Sequence, residues 1–279
     1  MNHEIAELRD RIKAAAESLL NRRQKRPRVA MFLGTGHSEF SNRLQDKEVV
    51  LIEEVSEFPR GVESSTLVLG SYAGVDVILA DAPLAPYLGV SGLELAFPVR
   101  VFRSMGAEIL ILTAAAAALK PGCNLGDLAL VEDHLNFTNM NPLQGHNDEL
   151  LGPRFPDMTE PYDQELESLG RSIALEAGFP LHSGVFAAIQ GPSLPTRAEY
   201  NFIRAAGADF VGMSTVPEVI AAVHAGFRSL ALLGITQLVR LATPRPTELE
   251  TMVEAADLAA PRMATMLAGL LENLAGEQD

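Results

Sequence analysis

The sequence holds a single cysteine, Cys123, among 279 residues. That excludes an intrachain disulfide and fits a reducing compartment. It has no run of about 18 apolar residues such as a membrane span needs, so no membrane partner is expected. Positive charge is scarce: 22 Lys and Arg against 36 Asp and Glu leave a formal net charge of −14. This argues against nucleic acid or an anionic membrane surface as partner, and gives no long-range help to an anionic ligand such as phosphate. None of the six histidines (His3, His37, His134, His146, His182 and His224) has a second His, Cys or carboxylate at metal-ligand spacing, so no metal site is expected. The first stretch, MNHEIAELRDRIKAAAESLL, is charged throughout and does not read as a secretory leader. With the lone cysteine, this gives the expectation of a cytoplasmic protein. Low-complexity linkers, heptads and internal repeats are absent.

What is present is the composition of a soluble globular protein, 47% hydrophobic and 21% charged, with strand-like and helix-like runs alternating to the end. One α/β domain over 1–279 is expected, opening with a helix within 1–27 and closing with one within 247–274. Ile5, Leu8, Ile12, Leu19 and Leu20 place one apolar stripe on the first helix, and the basic run RRQKRPR reads as its solvated end. Strands are expected at Val29–Leu33, Ser65–Leu69, Val75–Ala80, Ile109–Thr113, Leu128–Glu132, Gly184–Ile189, Asp209–Gly212 and Leu230–Ile235. Gly70 to Gly74 reads as a hairpin turn, which makes the sheet mixed. Helices follow Gly92, Tyr162, Thr196, Thr215 and Thr247, the fourth opening STVPE with a cap, a first-turn proline and an acid that complements the dipole. The stretch Asp133–Tyr162 has no period of its own and is too long for a plain connection.

Four stretches are weighed as sites. In TAAAAALKPG (113–122) a buried strand is expected to open into a loop, the place where α/β sheets bind ligands, yet Ala114 to Ala118 fill it. LGTGHS (33–38) places two glycines directly after a strand. It is either a plain tight turn or a phosphate cradle to which the Thr35 hydroxyl adds a donor. A third glycine for a dinucleotide fingerprint is lacking, since Glu39 stands there. Asp133-His134 is either an acid–base pair or a histidine fixed by its surroundings. GMSTV (212–216) lacks the second glycine of a nucleophile elbow.

Several stretches together resemble the trimeric purine nucleoside phosphorylase family, which includes the methylthioadenosine phosphorylases. They are FPVRVF (97–102), DHLNFTNMNPLQGHND (133–148), GPRFPDMTEPYD (152–163), QGPSLPTRAEY (190–200) and GADFVGMSTVPEV (207–219). The match is collinear from Val29 to Thr236. The resemblance implies a twisted mixed sheet flanked by helices and a homotrimer. It also implies cleavage of purine nucleosides by inorganic phosphate, with no cofactor beyond that co-substrate. In the family an Arg, a His, hydroxyls and backbone amides hold phosphate, while a Glu and an Asn hydrogen-bond the departing base.

Carried over position by position, most of that set is replaced. Thr35 stands for the first-loop phosphate Ser. The family's Gly-Arg-x-His-x-Tyr-Glu-Gly reads APLAPYLG, with Pro83 for the Arg, Ala85 for the His and Leu88 for the Glu, Tyr87 being kept. The Gly-His-x-Gly segment expected after Phe58-Pro59 is missing from FPRGVESSTLVLG. Asn-Ala-Ala-Gly has become Ala114 to Ala117. The base-gripping Phe-Glu is Leu194-Pro195, and the purine-contacting Asn is Gln237. Thr35 and Ser214 are then the remnant of the phosphate subsite, and Tyr87, Met213 and Gln237 of the nucleoside subsite. The catalytic residues are unassigned, with Asp81 a candidate substitute. Two functions follow: a divergent member with ordinary phosphorolysis lost or very weak, acting as a weak phosphorylase or as a transferase on an unusual nucleoside, or a non-catalytic trimer that binds an apolar small molecule or another protein.

Overall fold

The computed structural model describes residues 3–34, 36–59, 65–81, 85–241 and 248–276. Among them, six α-helices and a nine-stranded mixed sheet form one α/β domain. The strands are β1 (Val29–Leu33), β2 (Gln45–Leu51), β3 (Thr66–Tyr72), β4 (Val75–Asp81), β5 (Ile109–Ala118), β6 (Leu128–Phe137), β7 (Leu181–Ile189), β8 (Phe210–Gly212) and β9 (Arg228–Leu238). The helices are α1 (His3–Arg22), α2 (Gly92–Met105), α3 (Gln164–Ala177), α4 (Arg197–Ala205), α5 (Val216–Ala225) and α6 (Leu249–Gly276).

Local chemistry accounts for the elements. Every residue of β1 is buried, as expected of a parallel strand covered on both faces. Ala30 and Phe32 face the layer of α1, α2 and α5, while Val29, Met31 and Leu33 face α3 and α6. Phe32 meets Phe102 of α2 at 5.5 Å between ring centroids. The hairpin β3–β4 turns on Ala73 (φ 49°) and Gly74 (φ 87°), the two left-handed positions that a tight hairpin needs. Helices α2 and α4 each begin with a reciprocal cap, Ser91 with Glu94 and Thr196 with Glu199.

The strand order is β2-β3-β4-β1-β5-β8-β7-β6-β9, and β9 also pairs with β5. The last five strands therefore close into a small barrel-like ring. Strand β5 changes neighbours along its length: residues 109–112 pair with β1, whereas Ala117 and Ala118 pair with β8. Between them one edge of β5 has no strand beside it, and a crevice opens there, as ligand sites do where a sheet's neighbours switch.

That geometry corrects one expectation. The alanine run does not open into a loop; it continues β5 to Ala118, paired with β9 throughout. Two further differences concern lengths. β2 was not expected, and β6 runs on through Asp133-His134 to Phe137. Helix α1 lies within 1–27 and ends at Arg22, where the basic run begins, and α6 spans Leu249–Gly276.

Candidate active-site cavity

The crevice beside β5 is a cavity of about 680 Å³, within the usual range for small-molecule sites. The candidate positions carried over from the family that fall in described residues line it, together with Asp81: Ala85, Tyr87, Leu88, Ala114, Ala117, Leu194, Pro195, Met213, Ser214 and Gln237. Thr35 and Pro83 lie outside the described residues. The structure thus brings together residues scattered from position 81 to 237. It adds others that sequence reasoning missed. Thr113 and Tyr200 sit inside stretches singled out above, but Thr236, Leu249 and Met252 carried no local signal.

The floor is the turn after β1. His37 N–H donates to the Gly34 carbonyl at 3.1 Å, and Gly36 supplies φ 82°. Gly34 is required by proximity, because a Cβ there would lie 2.5 Å from the Thr113 carbonyl oxygen. Its N–H donates to Thr113 Oγ1 at 2.9 Å, so that amide is committed within the protein. Thr113 Oγ1 also lies 2.9 Å from His37 Nδ1. His37 is 4% exposed, and burial pulls its imidazole down to about 4. It is therefore neutral at physiological pH, a structural pin beneath the turn.

The wall opposite is built by β8 and the start of α5. Met213 packs its sulfur against Gly191, where a Cβ would come within 2.4 Å of Sδ. Thr215 is a β-branched residue at φ 81°, ψ −52°, and Val216 N–H donates back to the Ser214 carbonyl at 3.0 Å. This is a tight three-residue turn of a rare, strained kind. It sets Ser214 into the cavity wall, with its Oγ 3.3 Å from Thr215 Oγ1.

The remaining polar groups also have partners in the protein. Tyr200 OH donates to Gln237 Oε1 at 3.2 Å, and Thr236 Oγ1 donates to the Ala116 carbonyl at 3.4 Å. The rim is apolar and open: Tyr87, Leu88 and Leu194 are 46%, 44% and 42% exposed. Among the described residues that line the cavity, no Arg, Lys or His occurs, and Asp81 is the one charged side chain.

Asp133-His134 takes no part in the cavity lining. His134 Nδ1 lies 3.0 Å from Tyr162 OH, with the two rings edge to face. Burial lowers its pKa, so of the two readings the structure supports the fixed histidine. The connection after β6 is tied down by polar contacts: Asp148 pairs with Arg9 at 2.8 Å, and Asn147 bonds to His224. No group of three or more His, Cys, Asp or Glu side chains among the described residues is placed to hold a metal ion.

Comparison with known proteins gives a consistent result. Residues 28–272 match the phosphorylase superfamily. Purine nucleoside phosphorylase 1 of Bacillus subtilis is 40% identical over 228 residues, covering 81% of this chain and 84% of that protein. Purine nucleoside phosphorylase 1 of Geobacillus stearothermophilus is 33% identical over 270 residues, covering 96% and 98%. Among solved structures, isoform 2 of the Schistosoma mansoni purine nucleoside phosphorylase, in complex with cytosine and ribose-1-phosphate, superposes with a TM-score of 0.92. It is 29% identical and covers 95% of this chain and 96% of that one.

Proposed function

The chain belongs to the phosphorylase superfamily and, within it, to the purine nucleoside phosphorylases, and on that footing we propose that it keeps the family's cavity while performing ordinary phosphorolysis very weakly or not at all. The family reaction cleaves the N-glycosidic bond of a purine nucleoside with inorganic phosphate, releasing base and pentose 1-phosphate. It needs a phosphate dianion held against the anomeric carbon, and a polar clamp for the electron density that the leaving purine takes up.

One observation carries the proposal: the described cavity wall has no cationic side chain, and its charged group, Asp81, has the wrong sign for phosphate. Charge-assisted hydrogen bonds contribute about 1.5–3 kcal/mol each, and loss of one transition-state donor costs about 10²–10³ in rate. Thr35 and Ser214 are what we assign to a vestigial phosphate subsite, with Tyr87, Met213 and Gln237 to the nucleoside subsite. Ala85, Leu88, Leu194 and Pro195 make the rest apolar. No cofactor is implied, and phosphate enters only as co-substrate.

A second reading, a non-catalytic binder of a neutral, largely apolar small molecule, is favoured by a different observation. The Gly34 amide, Thr113, Ser214 and Tyr200 are already engaged with protein groups. Such a cavity asks little hydrogen bonding of its ligand. A homotrimer is part of the same proposal, supported by the large apolar side chains Leu150 and Phe155, 77% and 85% exposed on the long connection. So is a cytoplasmic location, supported by the single, buried cysteine.

The test is release of free base from inosine, guanosine or methylthioadenosine, with and without phosphate, measured chromatographically. The expected rate is below about 10⁻³ of that of the Bacillus subtilis relative. Phosphate-dependent turnover comparable with that enzyme overturns the proposal.

A further inference from the structure

Strand β9 carries one residue more than β5 beside the cavity. Ile235 lies opposite Ala116 and Gln237 opposite Ala117, so Thr236 is left over as a bulge, the device by which strands re-aim a side chain next to a site. The Thr236 hydroxyl turns to the Ala116 carbonyl, and Gln237 joins the cavity wall. There the hydroxyl of Tyr200, on α4, donates to Gln237 Oε1 at 3.2 Å. Tyr200 is only 7% exposed, and its ring packs in one cluster with Ala117, Ile203 and Val211. Among the described residues its hydroxyl makes this one hydrogen bond. Burial raises its pKa, so it keeps its proton and remains a donor.

We propose that Tyr200 is a positioning residue for Gln237: its hydroxyl claims the amide oxygen, so that the amide meets a ligand with its N–H end and selects a carbonyl oxygen over an amino group. The inference deepens the reading above and rests on it for the place of Gln237 in the nucleoside subsite. The two ends of a side-chain amide have nearly the same shape and opposite roles, one accepting and one donating. A glutamine with no fixed neighbour therefore turns whichever end its ligand asks for. With Tyr200 in place, the reversed amide leaves a buried phenol hydrogen without an acceptor among the described residues, which costs more than one neutral hydrogen bond returns. Nε2 carries two N–H donors, and the selection needs one of them.

The rest of the lining competes little for such a ligand. Thr113 Oγ1 takes the Gly34 amide, and the Thr236 hydroxyl is spent on Ala116. Ala85, Leu88, Leu194 and Pro195 are apolar, and in surroundings of that kind a single well-placed donor discriminates more strongly than it does in water.

The experiment measures binding of hypoxanthine and of adenine to the full chain by equilibrium dialysis without phosphate. The two bases share a ring system, and a carbonyl oxygen in the first stands where the second has an amino group. The unmutated chain is expected to bind hypoxanthine the more tightly. In Tyr200→Phe, which keeps the ring and removes the hydroxyl, the amide is free to reverse. The preference is then expected to fall by about three- to tenfold, the range that one neutral hydrogen bond commands, with adenine binding more tightly than before. A purely structural role would weaken both bases alike. Should the variant fail to fold, NMR of the unmutated chain decides: the side-chain N–H protons of Gln237 are expected to move further downfield with hypoxanthine than with adenine. Equal shifts overturn the proposal. So do an unchanged preference in Tyr200→Phe, an unmutated chain that prefers adenine, and binding of neither base. Dialysis involves no turnover, so phosphorolysis at the rate of the Bacillus subtilis relative would overturn the reading above and leave this result standing.

Discussion

Two buried ionisable groups beside the cavity pull stability in opposite directions with pH, and removing either should expose the other. His37 has an ordinary value of 6.5, depressed by burial to about 4. The unfolded chain therefore binds its proton first, and the stability it contributes is present above 6.5 and lost as pH falls through about 4. Glu218 has an ordinary value of 4.5, raised by burial to about 7. The folded chain binds its proton more tightly, so its contribution is present below 4.5 and lost as pH rises through about 7. At about 1.36 kcal/mol for each pH unit separating folded and unfolded values, each effect amounts to about 3 kcal/mol. The two windows overlap from 4.5 to 6.5, and there the wild-type protein should show almost complete cancellation. Glu218→Gln should unmask His37: relative to wild type, its stability should rise by about 3 kcal/mol from about pH 4 to 7. His37→Asn should do the reverse, losing a similar amount relative to wild type over the same range. Urea midpoints at fixed protein concentration across that range provide the assay. Other carboxylates titrate in all three proteins and drop out of the differences. Profiles of wild type and Glu218→Gln that differ only by a constant offset would refute the reasoning, because Glu218 would then titrate alike folded and unfolded.

Phosphate should leave the fold indifferent. A specific site at a hundred times its dissociation constant would add about 2.7 kcal/mol, a rise of roughly 5–10 °C in melting temperature for a chain of this size. No shift beyond that of sulfate or chloride at matched ionic strength is expected. A saturable phosphate-specific rise that Ser214→Ala abolishes would instead show a working phosphate subsite. Light scattering at micromolar concentration should give three times the mass of the 30.0 kDa chain, and a monomer would remove the trimer from the proposal.

Much of this protein was legible in its sequence. Continuous apolar runs such as Val29–Leu33 mark strands covered on both faces, and STVPE marks a helix start, because both signals depend on neighbours within a few residues. The motif from Gly207 to Val219 pointed to the family and to Met213 and Ser214, which do line the cavity. The alanine run was misread because alanine has weak strand propensity and no alternation, so the local signal stops at Thr113. What carries β5 on to Ala118 is pairing with β9 and β8, more than ninety residues away. Strand β2 was overlooked for a related reason: an edge strand reading QDKEVVL is mostly exposed and needs only its partner β3 to form.

Tertiary structure alone decided the charge states. Glu94, Glu199 and Glu218 stand at the same place, three residues after a Ser or Thr at a helix start. Two remain open to solvent and ionise easily, while the third is enclosed in the core with no cation to offset it and is held near neutrality. Hydrogen bonds across three residues are written in the local sequence. Desolvation is set by whatever the rest of the chain packs around the group, and only the assembled fold supplies that.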